Sequence, residues 1–255
     1  MSDIKDSKAV IVGGTHGIGL ATAQLLISKG SQVIITGRNP ENLQSASHQL
    51  RDTATVHRCD ITSLEAINDL SEKIKQRFGS DAQLDLLFLN AGYARLEPFT
   101  AVTESSFHRT FSTNVFGTFF AAQTLAPLVK PGGAIVFTTS IANRRGIPGM
   151  AIYSASKAAV HSLAQTLAAE LADRNVRVSA VSPGFIKTPT MGVADAGREE
   201  IEEFEKFGAQ QTPMGRVGAA EEVARAVVYL AFEATFTTGK EIVVDGGLAS
   251  VEKEH

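Results

Sequence analysis

The chain has 255 residues, of which 44% are hydrophobic and 20% charged, and its formal net charge is −3. This length and apolar content are enough for one α/β domain with a sizeable core. The nearly balanced charge argues against nucleic acid or an anionic membrane as a general partner, and no apolar run approaches the roughly 20 residues of a membrane span.

Short β-branched runs alternate with longer helical patterns along the chain. The predicted strands cover residues 9–12, 32–36, 55–59, 84–89, 134–139, 176–181 and 241–244. The predicted helices cover about 18–28, 40–50, 64–78, 105–129, 152–173 and 220–232. Because the strands are nearly continuous apolar runs, helices should cover both faces of the sheet. The pattern predicts a single α/β domain over residues 1–255, built on a doubly wound sheet of seven parallel strands.

A glycine-rich turn joins the first predicted strand to the first predicted helix. Gly13, Gly17 and Gly19 lie in this turn. Glycines let the backbone approach phosphates closely, and the start of a helix favours an anionic pyrophosphate. A lone glycine triplet often only closes a turn, but the strand before it and the helix after it indicate a dinucleotide site.

The end of the second predicted strand bears on the choice of dinucleotide. NAD sites usually place an acid there for the ribose hydroxyls, but this chain has Thr36-Gly37-Arg38-Asn39. Arg38 can bind a 2′-phosphate through paired donors, and His16 in the glycine turn could add partial positive charge. The missing acid favours NADP(H) over the alternative that Arg38 is an ordinary surface arginine.

A tyrosine and a lysine lie four residues apart near the start of the helix predicted over about 152–173. Tyr153 and Lys157 therefore share one helix face, one turn apart. A phenol, with a pKa near ~10, is a poor acid or base at neutral pH, and a nearby positive charge favours its phenolate. With Ser140 upstream and the dinucleotide turn, the pair predicts hydride transfer involving a carbonyl.

The segment from Gly184 to Gly218 breaks the alternation of strands and helices. It has no predicted strand, several glycines and prolines, and an acidic run at residues 199–203. Long connections inside compact domains are usually lids or binding loops. We favour a substrate lid over about 184–218; the alternative is a surface excursion with a solvated charged helix.

These motifs, in this order and spacing, resemble a classical short-chain dehydrogenase/reductase over essentially the whole chain. The resemblance implies a Rossmann-like fold and a catalytic set of Asn114, Ser140, Tyr153 and Lys157. The family's serine lies thirteen positions before the tyrosine, which selects Ser140 and leaves Thr139 second. In the family Tyr153 would exchange the proton, Lys157 would lower its pKa and contact the nicotinamide ribose, and Asn114 would hold a water linking Lys157 to solvent.

The resemblance also assigns the cofactor site and places the chain in the NADP(H)-preferring branch, since Arg38 follows the second strand. Asp60 and Ile61 would hold the adenine ring, and Thr188 the nicotinamide carboxamide. The alternative for Asp60 is a helix N-cap, a role that it could combine with cofactor binding, and the alternative for Asn90-Ala91-Gly92 is a plain turn. The full predicted cofactor set is Gly13, Thr15, His16, Gly17, Ile18, Gly19, Arg38, Asn39, Asp60, Ile61, Asn90, Ala91, Gly92, Tyr153, Lys157, Pro183, Gly184, Ile186 and Thr188. The chain departs from the family at Val12, where a threonine hydroxyl usually braces the nearby backbone.

By the same resemblance, the substrate would lie between Ser140, the residues before Tyr153 and the lid. The predicted substrate-binding residues are Ser140, Ala142, Ile147, Met150, Tyr153, Phe185 and Met191. Most are apolar, which fits a ketone or aldehyde with hydrophobic substituents. Arg144 and Arg145 could bind an anionic substrate group, but we favour a solvated or subunit-interface pair.

The leading functional hypothesis is an NADP(H)-dependent carbonyl reductase or alcohol dehydrogenase. A 3-oxoacyl-carrier-protein reductase is an alternative, although Tyr93-Ala94-Arg95-Leu96 replaces the polar, basic run typical of that branch. A sensor that binds NADP(H) without turnover is a third, but such proteins typically lose the tyrosine or the lysine. Family members are usually homotetramers, with helices like 105–129 and 152–173 paired across subunits, and a homodimer is the alternative.

The remaining reactive side chains predict neither a disulfide nor a metal site. Cys59 is the only cysteine, and its apolar context favours a small buried hydrophobe over a nucleophile. Four further histidines form no spaced ligand cluster, namely His48, His57, His108 and His161. Residues 1–6 lack the apolar core of a signal peptide, so we expect a cytoplasmic protein.

Overall fold

A seven-stranded parallel sheet forms the centre of the molecule. The computed structural model describes residues 4–191, 193 and 197–252. In these ranges the strands are β1 (Lys8–Val12), β2 (Gln32–Gly37), β3 (Ala54–Arg58), β4 (Leu84–Leu89), β5 (Val129–Thr138), β6 (Arg177–Pro183), β7 (Ile186–Lys187), β8 (Gly218–Ala219) and β9 (Glu241–Val244). Seven of them form one sheet in the order β3-β2-β1-β4-β5-β6-β9, and all neighbours are parallel. The predicted doubly wound sheet is confirmed.

Helices cover both faces of this sheet, as the apolar strands predict. They are α1 (Gly17–Ser28), α2 (Pro40–Leu50), α3 (Leu64–Phe78), α4 (Glu104–Phe111), α5 (Thr118–Leu125), α6 (Ala151–Glu170), α7 (Arg198–Gln211) and α8 (Ala220–Val228). Neighbouring strand residues face opposite sides, so Val10 packs in the core with α3, α5 and α6, whereas Ile11 packs with α1 and α8. None of the helices in the described ranges is long and apolar enough to cross a membrane.

The strand order reverses between β1 and β4, and this reversal places the site. β1 pairs with β2 on one side and with β4 on the other, each in parallel. Open α/β sheets bind ligands beyond the carboxyl ends of their strands at such a switch point. Gly13 follows β1, Asn90 follows β4 and Ser140 lies just after β5. The topology thus brings three distant sequence motifs to one edge of the sheet.

The helix predicted over about 105–129 is interrupted. It consists of α4, a π-helical turn at Ser112–Gly117, α5 and a 3-10 turn at Ala126–Leu128, and β5 begins at Val129. Pro127 lies in the last turn, and proline cannot continue a helix because it lacks the N–H donor. The prediction of one continuous helix is therefore wrong, and β5 starts earlier than predicted.

Segment 184–218 contains a small second sheet, so the expectation of no strand there is wrong. β7 pairs in parallel with β8, with Ile186 opposite Gly218 and Lys187 opposite Ala219. The pairing holds the two ends of the segment together, and α7 lies between them. Strands of two residues are too short to carry a readable sequence pattern.

Cys59 behaves as the small buried hydrophobe that the sequence predicts. Its side chain is buried and free, and the thiol donates to the backbone oxygen of Ala66 at 3.5 Å. Burial raises its pKa to about 12, and the charges of Asp60 and Asp69 act in the same direction. A thiol with so high a pKa is almost never a thiolate at neutral pH.

Candidate active site

The glycine turn after β1 is packed too closely for larger side chains. A Cβ on Gly19 would lie 2.1 Å from the backbone oxygen of Gly13, and one on Gly13 would lie 2.6 Å from the nitrogen of Ala91. Gly13 and Gly17 also have positive φ, at +84° and +55°. The turn needs glycine on steric grounds, and it leaves the start of α1 open to an anionic group.

The turn after β4 fastens the glycine turn to β5. The Asn90 amide donates to the Gly13 oxygen at 2.7 Å and accepts from the Thr138 hydroxyl at 2.9 Å. The carbonyl of Val12 accepts from the backbone nitrogens of Asn90 and Ala91 at 2.9 and 2.8 Å. The bracing that a threonine hydroxyl usually gives at residue 12 is thus supplied here by backbone hydrogen bonds and the Asn90 side chain.

Arg38 and Asp60 lie together at the carboxyl ends of β2 and β3. Their nearest charged atoms are 3.9 Å apart, and their side chains are 44% and 41% exposed. The Asp60 carboxylate accepts from the backbone and hydroxyl of Thr62, while Ser63 is the N-cap of α3. The alternative that Asp60 caps the helix is therefore wrong. An exposed pair at this distance is worth at most about 1 kcal/mol, so Arg38 is only weakly held.

His16 occupies the N-cap position of α1 without a capping hydrogen bond from its side chain. Burial lowers its pKa from 6.5, because desolvation disfavours the charged imidazolium. The side chain is nevertheless exposed to solvent, so the partial positive charge expected at His16 stays a prediction. Within the described ranges, no cluster of three or more His, Cys, Asp or Glu side chains could hold a metal ion.

Ser140 follows β5 and Tyr153 lies at the start of α6, and their hydroxyl groups are close enough to interact. Burial raises the pKa of the Tyr153 hydroxyl, and the hydrogen bond from Ser140 opposes this rise. Lys157, one turn further along α6, places its Nζ 5.7 Å from the Tyr153 ring centroid. The net direction of the Tyr153 pKa is upward, opposite to the lowering expected from Lys157.

Lys157 is itself buried, which explains this difference. Its side chain is nearly inaccessible, and Nζ donates to the backbone oxygen of Thr138 at 2.8 Å. Burial lowers the pKa of Lys157 to about 8. Desolvation therefore disfavours the charged form of both groups, the phenolate of Tyr153 and the ammonium of Lys157.

Asn114 is fully buried in the π-helical turn between α4 and α5. Its Oδ1 accepts from the Tyr93 nitrogen at 2.7 Å, and its Nδ2 donates to the Tyr93 oxygen and to Ser156 Oγ, both at 2.9 Å. The side chain thus joins the turn after β4 to α6, next to Lys157. Both Nδ2 donors are used by protein groups, whereas Oδ1 accepts one hydrogen bond and can accept a second, so the water-holding role stays a prediction.

One cavity of about 780 Å³ contains most of the predicted site. It is lined by every predicted cofactor residue except Gly19 and by every predicted substrate residue except Ala142, and Asn114 also lies outside it. Gly19 packs beneath the glycine turn, and Ala142 is buried behind Ser140. The volume is typical of small-molecule sites.

Segment 184–218 contributes aromatic side chains to the cavity, and the prediction missed two of them. Phe204 and Phe207 on α7 line the cavity, with ring centroids 5.2 and 6.0 Å from that of Phe185. Gly208 lets Phe185 pack on α7, since a Cβ there would lie 2.7 Å from that ring. Phe204 and Phe207 lie three residues apart, so they share one face of α7, and the acidic residues lie mainly on the other. This spacing in the sequence could have predicted an apolar helix face.

Arg144 and Arg145 both bind partners within the chain and do not line the cavity. Arg144 Nη2 lies 2.7 Å from Glu241 Oε2, and Arg145 Nη1 donates to the Leu248 oxygen at 2.6 Å. Both residues are nevertheless exposed, so these contacts are compatible with the expectation of a solvated or subunit-interface pair, and neither residue contributes to the cavity lining.

Known proteins are similar to this chain over nearly its whole length. The family model adh_short_C2, described as "Enoyl-(Acyl carrier protein) reductase", matches residues 12–249. "Oxidoreductase asL5" of Sarocladium schorii is 36% identical over 95% of this chain and 96% of its own, and the "3-oxoacyl-[acyl-carrier-protein] reductase FabG" of Thermotoga maritima is 35% identical over 94% and 96%. A solved "short chain dehydrogenase/reductase family protein" is 34% identical, with a TM-score of 0.85 over 98% of this chain and 100% of its own. The chain therefore belongs to the short-chain dehydrogenase/reductase family, whose members are oxidoreductases that use nicotinamide cofactors.

Proposed function

We propose that this protein is an NADP(H)-dependent oxidoreductase that interconverts apolar carbonyl compounds and their secondary alcohols. The observation that carries the proposal is that Ser140, Tyr153 and buried Lys157 line the same cavity as the glycine turn. Ser140 and Tyr153 supply two hydroxyl groups in this cavity, and the turn supplies a cradle for a pyrophosphate.

The catalytic roles follow from this geometry. A bound nicotinamide supplies or accepts the hydride. The Ser140 and Tyr153 hydroxyls donate hydrogen bonds to the substrate oxygen and stabilise the negative charge that develops there. Tyr153 then gives up its proton as general acid, and the raised pKa keeps it protonated at neutral pH before that step. Lys157 places a positive charge beside the phenolate that results.

The preference for NADP(H) rests on the residues that follow β2. A 2′-phosphate there would meet Arg38 and no carboxylate from Thr36-Gly37-Arg38-Asn39. The weak pairing of Arg38 with Asp60 leaves the guanidinium able to bind a phosphate with its paired donors.

The proposal is tested by NADPH and NADH oxidation against aromatic ketones, β-ketoesters, diketones and acyl thioesters. We expect turnover of at least one apolar ketone, faster with NADPH than with NADH. Tight NADPH binding without turnover of any carbonyl compound would favour a sensor instead.

A 3-oxoacyl-carrier-protein reductase is a second candidate. Relatives that carry this name include the proteins of Thermotoga maritima and of Aquifex aeolicus, the latter 36% identical over 94% of this chain. The run Tyr93-Ala94-Arg95-Leu96 weighs against it. Faster turnover of an acetoacetyl thioester than of any free ketone would favour this candidate.

The rate of carbonyl reduction should depend on the charge of Lys157. Because burial lowers the pKa of Lys157 to about 8, its ammonium is present below that pH and is lost above it. We expect kcat to fall as the pH rises through about 8. The measurement is kcat at saturating NADPH between about pH 6 and pH 10, a range that brackets the catalytic groups.

Lys157→Arg is the matched variant for this pH dependence. Arginine stays charged throughout the range, so any activity that the variant retains should lack the fall near pH 8. A wild-type kcat that stays constant up to about pH 10 would contradict the role of the Lys157 charge.

The aromatic wall of the lid should set the size of the substrate. Phe204→Ala opens space in the cavity, so we expect kcat/KM for a small aromatic ketone to fall by about 10-fold or more while bulkier ketones gain. The measurement is kcat/KM over a series of ketones of increasing size. Phe236→Ala is the control, because Phe236 is fully exposed and does not line the cavity. An equal loss for all ketones would contradict the selective role.

We also infer that the protein assembles as a homotetramer or homodimer. Three large side chains on and between α4 and α5 are about two-fifths exposed, namely Phe107, Phe116 and Phe119. Large exposed apolar side chains on neighbouring helices are typical of contact surfaces. Small residues such as Ala155 and Ala158 are exposed on α6 and allow close approach of another helix.

A further inference from the structure

The last strand of the sheet carries a buried acid that faces the segment containing Ser140. The side chain of Glu241, at the start of β9, is 0% exposed. We propose that Glu241 is a positioning residue that holds Ser140 in place for the proton and hydride transfers. The inference rests on the proposed function for its catalytic meaning, but it stands on contacts that involve neither substrate nor cofactor.

One carboxylate binds residues on both sides of Ser140. The Thr139 hydroxyl lies between two acceptors, Glu241 Oε1 and the backbone oxygen of Val181, and Oε1 also accepts from Asn143 Nδ2 at 2.9 Å. Oε2 lies 2.7 Å from Nη2 of Arg144. The residue before Ser140 and two residues shortly after it are thus tied to the same point on β9.

Local hydrogen bonds pass this restraint to Ser140 itself. Its Oγ accepts from the nitrogen of Ala142 at 3.2 Å, and its backbone oxygen accepts from the nitrogen of Asn143 at 3.0 Å. Ser140 thereby caps a short 3-10 turn at Ile141–Asn143, whose far end is held by Glu241. The Ser140 hydroxyl sits between two anchored neighbours.

The energetics of burying the Glu241 carboxylate favour a role in positioning Ser140 over a role in stabilising the fold. Burying a carboxylate is costly, and one ion pair with a half-exposed arginine repays that cost only in part. In return, a buried charged group that accepts several hydrogen bonds holds its partners in a single arrangement. A catalytic hydroxyl needs this, since a displacement of about 1 Å at a site can reduce the rate by about 100-fold.

The test is a double-mutant cycle between Glu241 and Ser140. Glu241→Ala should lower kcat by about 10- to 100-fold with little change in the Kd for NADPH. In a Ser140→Ala background, which itself costs about 10²- to 10³-fold, Glu241→Ala should lower kcat by less than about 2-fold, because the residue it positions is absent. Glu241→Gln keeps one acceptor oxygen for Thr139 and Asn143 and should restore most of kcat.

Hydrogen exchange measures the positioning without turnover. The amides of Ala142 and Asn143 bond Ser140, so they should exchange faster in Glu241→Ala. Asp85→Asn is the matched control. Asp85 is also a nearly buried acid, but it pairs with Lys130 and with the Lys8 nitrogen, far from the cavity. The Asp85→Asn variant should have a lower Tm, with kcat and the exchange rates of the Ala142 and Asn143 amides unchanged.

Each outcome decides the proposal. Equal losses of kcat in the wild-type and Ser140→Ala backgrounds, or a lower Tm with unchanged kcat and exchange, would overturn it. If Glu241→Ala does not fold, Asn143→Ala removes one of the same contacts at a partly exposed position. It should show the same dependence on the Ser140 background, with a smaller fall in kcat. If the wild type reduces no carbonyl compound, the proposed function fails, and the exchange rates alone then support or overturn the positioning of Ser140.

Discussion

Tyr153→Phe should lower kcat for carbonyl reduction by about 10²- to 10⁴-fold, the range that general acid catalysis supplies. Phenylalanine keeps the ring that packs beside Lys157 but has no proton to donate. It leaves the Ser140 hydroxyl and its hydrogen bond from the Ala142 nitrogen in place. Because the substitution leaves the glycine turn and Arg38 unchanged, and these would bind the phosphates of NADPH, the Kd for NADPH should change little. Single-turnover kinetics and a fluorescence titration with NADPH measure the two quantities.

Tyr229→Phe is the matched control for Tyr153→Phe. Tyr229 is 45% exposed and does not line the cavity, so its hydroxyl should contribute nothing to kcat. A Tyr153→Phe variant with nearly wild-type kcat would contradict the assigned proton donor. If the variant loses turnover but keeps its biological activity in cells, a sensing role becomes the better description.

Arg38→Asp should reverse the preference between the two dinucleotides. The substitution removes a guanidinium that can bind the 2′-phosphate and adds a carboxylate that repels it. A hydrogen bond to a charged group contributes about 1.5–3 kcal/mol, so we expect kcat/KM for NADPH to fall by about 10- to 100-fold. The new acid can accept hydrogen bonds from ribose hydroxyls, so kcat/KM for NADH should rise or stay constant.

Arg51→Asp is the control for the change in net charge. Arg51 is exposed, precedes β3 and does not line the cavity, so it alters the charge of the chain equally without touching the site. Kinetics with both cofactors at two ionic strengths separate the local effect from the general one, since salt screens distant charges more than a direct contact. Equal losses for NADPH and NADH in Arg38→Asp would contradict recognition of the 2′-phosphate.

The sequence by itself was sufficient for the seven-stranded sheet and for the parts of the site that depend on local pattern. Apolar runs between helical patterns predict buried parallel strands, because only such runs suit a sheet covered on both faces. The glycine turn and the Tyr153–Lys157 spacing are equally local. Their positions relative to a strand or a helix turn suffice to place them, and the parallel topology then brings them to one edge.

Only the tertiary structure decided the features that depend on burial and on contacts between distant segments. The directions of the Tyr153 and His16 pKa values come from desolvation, which a sequence does not display. The β7–β8 pair, the aromatic wall of the lid and the partners of Asn114 join residues far apart in the chain. The pairing of Arg144 with Glu241 is the sharpest case, because an arginine near Ser140 suggests an anion site until the fold brings a buried acid beside it.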